Sequence, residues 1–273
     1  MADVPREFVF TRFPARQGMI WLRAAYEMFS RQRAAWVMLV VAYIIAMLVV
    51  RQLPFVGPFA MTILKPVFAV GLLAAAWNQE RGGTPRAVHL FQGFRANLWA
   101  LIMIGVFFVV GVTLAVFASS LIDGGKLLDL LAGGPRSEQE LIALLQDPRV
   151  SLGMLFSVLV AIPVVIATWW APALVVFQDA SAPAALLASM RAALANWKAL
   201  LVYALAVFVY GAVIPSLIIS IVALFVPDPP REILTIAVLL PYLLIFWATL
   251  HVSDYVSYRE VFHANETLAP LNR

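Results

Sequence analysis

The sequence predicts an all-α, polytopic membrane bundle with six transmembrane helices, arranged as three helical-hairpin repeats. The first observation is composition. Of the 273 residues, 63% are hydrophobic and 12% are charged, whereas soluble domains average about 45–50% apolar and about 25% charged residues. The second observation is a set of six long apolar windows, and the third is a pattern that recurs with each pair of windows. Together they predict a single integral membrane domain over residues 1–273.

The six windows have the length that a membrane span requires. About 20 apolar residues in a helix cross a hydrocarbon core of about 30 Å. The windows cover residues 35–50, 55–77, 98–122, 151–178, 198–226 and 233–256. The first window is short, so we expect its helix to include Ala34 or Gln52.

A short amphipathic stretch precedes each pair of spans. Its apolar residues recur at steps of three and four, which places them on one face of a helix. They are Trp21, Ala24, Ala25, Met28 and Phe29 in the first stretch, Val88, Phe91 and Phe94 in the second, and Leu186, Leu187, Met190, Ala193 and Leu194 in the third. We interpret each stretch as an interfacial helix that begins a repeat, over about 18–80, 86–180 and 184–262. Chance similarity among Leu-, Ala- and Val-rich segments is the alternative.

Tryptophan and proline strengthen the repeat. Trp36, Trp99 and Trp197 each follow an amphipathic stretch, and tryptophan is typical of the membrane interface. The second span of each pair contains a proline, namely Pro66, Pro163 and Pro241. Proline removes one backbone hydrogen bond and kinks a helix, so we expect these kinks to pack against other helices. Pro172, after Trp169 and Trp170, predicts a break in the fourth span.

The connections at the far end of the hairpins differ in length. Residues 51–54 and 227–230 predict tight turns. The middle connection is longer and contains Ser137 with Glu140 three residues later, the pattern of a helix capping box. We predict a short outer-surface helix over about 137–146, whose apolar face either packs over the span ends or contacts a partner protein.

The placement of basic residues predicts the orientation of the chain. If the N-terminus is cytoplasmic, thirteen Lys and Arg residues lie on the inner side and five on the outer side, with Lys65 inside a span. Positive residues favour the cytoplasmic side. We therefore predict a multi-pass protein of the bacterial inner (plasma) membrane with both termini in the cytoplasm. The basic residues are expected to contact lipid headgroups, and no nucleic acid is expected as a partner.

Several segments resemble a known family. They are residues 21–29, 63–71, 89–95, 169–179 and 258–262, which read WLRAAYEMF, ILKPVFAVG, HLFQGFR, WWAPALVVFQD and YREVF. With them, most of the chain resembles uncharacterised six-span bacterial inner-membrane proteins. That family is distantly similar to the membrane domain that precedes some glycerophosphodiester phosphodiesterases. The resemblance implies a six-span membrane protein and no activity, and Lys65 departs from its pattern, which has a small residue there.

Three ionisable residues are the candidate functional positions within spans. Lys65 is unusual because a charge deep in a span costs about 2.5–3.5 kcal/mol on insertion scales. The alternative is that its long side chain reaches the headgroups. His251 and Asp254 lie three residues apart, so they share a helix face. They are either a proton or ion site or, as we favour, an interface pair that fixes helix depth.

Other chemistry is not expected. Glu260 and His263 have the E-x-x-H spacing of di-iron bundles, but the motif occurs once. The chain has no cysteine. Hydroxyl groups within the spans lack an evident base, so we expect no catalytic residue, cofactor or metal, and no enzyme.

Two functions remain. The first is an accessory, assembly or scaffold subunit of a larger membrane complex, with other membrane subunits as partners. It follows from the scarcity of ionisable residues inside the spans. The alternative is a carrier or channel for a lipid or small amphiphile, with a cavity between the proline-kinked spans.

Overall fold

The computed structural model describes residues 8–54, 56–133 and 137–263. Within these ranges every regular element is helical, and six segments are long and apolar enough to cross a membrane. The predicted all-α fold with six candidate membrane spans is therefore confirmed. Arg6, Arg136 and Arg273, which are among the basic residues counted for the orientation, lie outside the described residues.

The helices follow one another in three groups. The first group contains α1 (Gln17–Arg31), α2 (Arg33–Arg51) and α3 (Gly57–Glu80). The second contains a 3₁₀ helix (Ala87–Arg95), α4 (Leu98–Asp123), α5 (Lys126–Ala132), α6 (Glu138–Gln146), α7 (Pro148–Trp169) and α8 (Ala171–Gln178). The third contains α9 (Ala182–Ala195), α10 (Trp197–Phe208), a π-helical segment (Val209–Val213), α11 (Ile214–Phe225) and α12 (Pro230–Phe262). The candidate spans are α2, α3, α4, α7 with α8, α10 with α11, and α12.

The buried core is concentrated at one end of the bundle. We call it the basic end, defined by α1, α9, residues 81–86 and the C-terminal part of α12. The largest fully buried side chains there are Trp21, Trp36, Trp170, Tyr203, Tyr255 and Tyr258. The opposite end contains α5, α6 and the two short turns. Spans five and six are little covered, with 11% of their most apolar windows buried, compared with 56% for α3.

The first amphipathic stretch is a helix, and its predicted apolar face is buried. Trp21, Ala25 and Phe29 of α1 are almost inaccessible, and α1 packs against α10 and α12. The residues before α1 also join the bundle, because the Thr11 amide donates to the Val261 carbonyl over 2.8 Å. The helix is thus part of the core at the basic end.

The second amphipathic stretch differs from its prediction. It forms a 3₁₀ helix, in which residues three apart share a face. Val88, Phe91 and Phe94 do form one stripe, but that stripe is exposed. Gly93 contacts α3, where an added Cβ would overlap the Val67 carbonyl. Val67 precedes the end of α3 by about 20 Å at helical rise. This segment therefore runs along α3, whereas an interfacial helix was expected at the end of the span.

The buried face of α9 differs from the apolar face that the sequence indicates. Leu187 and Leu194 are exposed, and the buried face consists mainly of alanine: Ala182, Ala185, Ala188, Ala192 and Ala193. The polar residue Ser189 is also fully buried and donates to the Ile166 carbonyl at 2.8 Å. Small side chains form this buried face because they let the backbones of neighbouring helices approach closely.

The break in the fourth span is confirmed. Helix α7 ends at Trp169, and α8 begins at Ala171 with Pro172 in its first turn. Residues Ala171–Val175 are buried, and α8 packs against α3 and α9. After the break, the chain therefore continues into the bundle.

The helix predicted at the opposite end is also confirmed. Ser137 Oγ accepts from the Glu140 amide, and the Glu140 carboxylate accepts from the Ser137 amide, which completes the capping box. No residue of α6 is buried, so its apolar face does not pack over the described span ends. Next to it, the hydrogen bond from Lys126 holds the pKa of Asp147 below its ordinary value, with a further bond from the Arg149 amide.

Two expectations about special residues need correction. Trp36 is fully buried in the bundle and its Nε1 donates to Gln79 Oε1 at 2.6 Å, so its N–H contacts a protein side chain and not water or headgroups. Trp99 and Trp197 are exposed. Of the three prolines predicted to kink the second span of each pair, Pro66 is buried but Pro163 and Pro241 are exposed, so among these three only Pro66 packs against neighbouring helices as expected.

Candidate functional site: a lateral groove between α1 and α12

The carboxylates at the basic end connect helices to one another. Glu80 at the end of α3 accepts hydrogen bonds from the Tyr255 hydroxyl and the Arg259 guanidinium. Glu260 accepts from Gln17 Nε2 at 2.5 Å and Trp21 Nε1 at 2.9 Å. These contacts join α1, α3 and α12, and they satisfy charges that would otherwise be costly near the membrane.

The E-x-x-H pair is divided between different partners. Glu260 contacts α1, whereas the His263 imidazole Nε2 lies 2.8 Å from the Tyr258 hydroxyl. Across residues 8–54, 56–133 and 137–263, no group of three or more His, Cys, Asp or Glu is arranged to hold a metal ion. The spacing therefore reflects two separate structural contacts.

Lys65 lies on the exposed surface of α3, next to the buried Pro66. In the part of the chain that the structure describes, no side chain lies within hydrogen-bond or ion-pair distance of its ammonium. It also does not line either of the cavities described below. This position fits a side chain that extends toward headgroups, and its function stays a prediction.

His251 and Asp254 do lie together, with 3.7 Å between Nδ1 and Oδ2. The Tyr43 ring packs edge-on against the His251 imidazole, with 5.5 Å between centroids. Both residues line a cavity of about 30 Å³ with Trp169 and Pro172. A cavity of that volume has room for about two water molecules, so the space beside the pair is very small.

Most of the serine and threonine hydroxyl groups considered within the spans donate a hydrogen bond to the backbone of their own helix. Each donates to a carbonyl three or four residues earlier, which suits a group without water around it. The residues with this bond are Thr62, Ser157, Thr168, Ser220, Thr235 and Thr249. These hydroxyls are arranged as helix contacts and not as nucleophiles with a base.

A larger cavity is formed beside a break in span five. The π-helical segment begins at Val209, and the Ile214 amide donates to the Val209 carbonyl. In this register the next donor belongs to position 215, but Pro215 has no N–H. The Tyr210 carbonyl instead accepts from the Tyr242 hydroxyl of α12 at 2.5 Å. A side chain of span six thus satisfies a carbonyl that a proline of span five leaves free.

The resulting lateral groove has a volume of about 500 Å³. One wall is α1, and the other walls are the π-helical segment and the middle of α12. The lining residues are Met19, Leu22, Arg23, Tyr26, Tyr210, Tyr242, Ile245, Phe246, Thr249 and Leu250. Ligand pockets in proteins commonly measure about 300–1,000 Å³ and are mostly apolar, so this groove can hold a small amphiphile.

Sequence reasoning missed this groove. It identified Pro241 but not Pro215, and it interpreted α1 as an interfacial helix with no cavity beside it. Proline in span five followed by tyrosine in span six was the available signal. That signal is weak, because nothing in the sequence shows that Tyr242 faces the Tyr210 carbonyl.

Comparison with known proteins gives one relative. Over 274 residues the chain is 28% identical to a probable inner membrane protein of Burkholderia thailandensis, and the match covers 94% of each chain. No protein-family model matches the sequence, and no solved structure matches it. The relative and the six apolar helices together support a multi-pass inner-membrane protein. The similarity to the phosphodiesterase membrane domain remains a prediction.

Proposed function

We propose that the protein is a non-catalytic integral inner-membrane protein that serves as an accessory, assembly or scaffold subunit of a larger membrane complex. One observation carries this proposal. The most apolar parts of spans five and six have little contact with the rest of the chain, since 11% of each span's most apolar window is buried. A hairpin so exposed along both helices offers a long surface to a neighbouring membrane protein.

The arrangement of polar groups supports a non-catalytic role. Glu80 and Glu260 hold helices together, and the hydroxyls of the spans mostly bond to backbone carbonyls. Catalytic groups need a nucleophile or base that is poised for a substrate. Glu80 and Glu260 are instead engaged in contacts between helices.

A photo-crosslinking experiment tests the subunit role. A photoreactive amino acid replaces Ser216 or Ser220 on the exposed face of α11, and a matched control replaces Leu155 on the exposed face of α7. The complex is purified in mild detergent, and native mass spectrometry measures its composition. We expect one protein partner at fixed stoichiometry, crosslinked from α11 and not from α7. Lipid adducts alone at all three positions, with a monomeric mass, would exclude the subunit role.

A carrier or channel for a lipid or small amphiphile is the second candidate. The lateral groove favours it, because the groove is mostly apolar and lies between α1, the π-helical segment and α12. The lining does not include Lys65, Pro66, Pro163 or Pro172, which the sequence analysis had placed around such a cavity. A lipid exchange assay between proteoliposomes tests this candidate. An exchange rate equal to that of protein-free liposomes would exclude it.

A further inference from the structure

The lateral groove between α1 and α12 has an apolar interior that extends away from the basic end. The buried side of α1 contacts α12 near its C-terminus, where Glu260 accepts from Trp21. The groove residues of α12 precede this contact and run from Tyr242 to Leu250. Eight residues at helical rise cover about 12 Å. The groove is therefore shaped for an apolar chain that runs from the level of α1 into the hydrocarbon region.

The charge of the groove lies at its α1 wall. Among the described lining residues, Arg23 alone is charged. Its Nε donates to Glu27 Oε1 at 3.1 Å, and in the described part of the chain neither Nη group has a hydrogen-bond partner. Arg16, at the start of α1, is three and seven residues from Met19 and Arg23 and so lies on the same helix face. A guanidinium with free Nη groups is suited to a phosphate, because it can donate two parallel hydrogen bonds.

We propose that the lateral groove holds one anionic phospholipid, with its phosphate at Arg23 and one acyl chain along α12 toward Tyr242. The apolar walls match an acyl chain, and the single cation at the α1 wall matches the charge of the headgroup. Such a lipid is bound as part of the structure. The inference thus goes beyond both the subunit and the carrier roles, and it does not depend on either.

Lipid titration with native mass spectrometry tests this site. The full-length protein is delipidated in mild detergent and titrated with phosphatidylglycerol or with phosphatidylcholine of the same acyl chains. We expect one phosphatidylglycerol to bind, with an affinity about tenfold above that of phosphatidylcholine. Both lipids carry a phosphate, but the choline ammonium of phosphatidylcholine would lie near Arg23 and Arg16 and offset part of the attraction. Free glycerol phosphate in excess should not displace it, because the acyl chain contributes to binding.

Two matched pairs of variants locate the site. Arg23→Gln should remove the preference for phosphatidylglycerol, whereas Arg31→Gln, an exposed arginine on the same helix outside the groove, should keep it. Thr249→Trp should fill the groove and abolish binding of both lipids. Thr235→Trp should leave binding intact, since Thr235 lies on α12 outside the groove and makes the same backbone contact as Thr249. Thermal unfolding of each variant confirms that it is folded.

Three results would overturn the proposal. They are equal affinity of the wild-type protein for the two lipids, an unchanged preference in Arg23→Gln, and unchanged lipid binding in a folded Thr249→Trp variant. A dimer whose formation protects the groove and excludes lipid would also overturn it. Failure of the crosslinking experiment on α11 would leave this proposal unaffected, because the two experiments probe different surfaces.

Discussion

Individual polar residues near the basic end are matched to partners on other helices. Trp36 donates to the Gln79 side chain, and Gln79 Nε2 donates to the Met28 carbonyl at 2.7 Å. Buried Tyr203 shares a hydrogen bond of 2.6 Å with Ser253. A buried polar group without a partner costs free energy, so these pairs specify which helices meet.

Some residue contacts could be predicted from the sequence and others could not. The capping box at Ser137 is local, because both of its partners lie within four residues. The burial of Trp36 and Ser189 depends on partners 43 and 23 residues away. Residue type alone predicts tryptophan at the membrane interface and serine on the polar face of a helix. Such a prediction is wrong where a distant partner forms the hydrogen bond to the polar atom.

The exposed position of Lys65 leads to a mutational prediction. Lys65→Met should leave the unfolding midpoint unchanged or raise it, because it removes a charge from an apolar surface without breaking a described contact. Arg259→Met is the control and should lower the midpoint, since it removes a partner of Glu80. Thermal unfolding in detergent measures both. A fall of several degrees for Lys65→Met would indicate a role that its exposed position does not explain.

His89 should make stability depend on pH. Its Nδ1 accepts from the Arg86 amide at 2.9 Å, and burial lowers the pKa of the imidazole. The unfolded chain therefore binds the proton first as the pH falls through about 6.5, and the free energy of unfolding should decrease below that pH. Unfolding midpoints between pH 7.5 and 5 measure the effect.

Two histidine variants separate this effect from other titrations. His89→Gln should flatten the pH dependence, and His251→Gln is the comparison because it removes a histidine from a different part of the chain. A steep dependence that survives in His89→Gln would assign it to another group.

At the level of elements, apolar length predicted the spans well, and packing faces less well. The six windows lie within the six candidate spans, give or take a few residues at the ends. The Trp169–Pro172 break was also visible, because proline interrupts helices locally. The buried alanine face of α9 and the contact of Gly93 with Val67 were not visible. Hydrophobicity identifies apolar faces, but in a membrane a lipid-facing side can be equally apolar.

The π-helical segment provides a prediction about element geometry. Tyr242→Phe leaves the Tyr210 carbonyl without its donor and should cost about 1–3 kcal/mol. Pro215→Ala supplies a backbone N–H, so the double variant should lose less stability than Tyr242→Phe alone. Unfolding midpoints of the two single variants and the double variant measure this coupling. Strictly additive effects would show that Pro215 and Tyr242 do not act on the same carbonyl.

At the level of the whole molecule, the ends of α3, α8 and α12 converge at the basic end. Glu80 contacts Arg259, and Gln178 Nε2 contacts the Tyr258 hydroxyl at 3.2 Å. The start of α10 also lies there, since Asn196 accepts from the Phe13 amide. These contacts fit three hairpins that open in the same direction. The threefold repeat stays a prediction from the recurring amphipathic stretch, tryptophan and proline. The cytoplasmic placement of the basic end stays a prediction from the distribution of basic residues.

Cysteine accessibility tests this arrangement most directly, because the chain contains no cysteine and every introduced thiol is unique. Single substitutions at Gln52, Gln139 and Asp228 probe the three connections of the opposite end, and substitutions at Thr84 and Ser181 probe the basic end. A membrane-impermeant maleimide is applied to spheroplasts before and after permeabilisation. We expect the first three positions to react in intact spheroplasts, and Thr84→Cys and Ser181→Cys to react only after permeabilisation. Reaction of a basic-end position in intact spheroplasts, or protection of any of the first three, would contradict six crossings with all hairpins facing the same way.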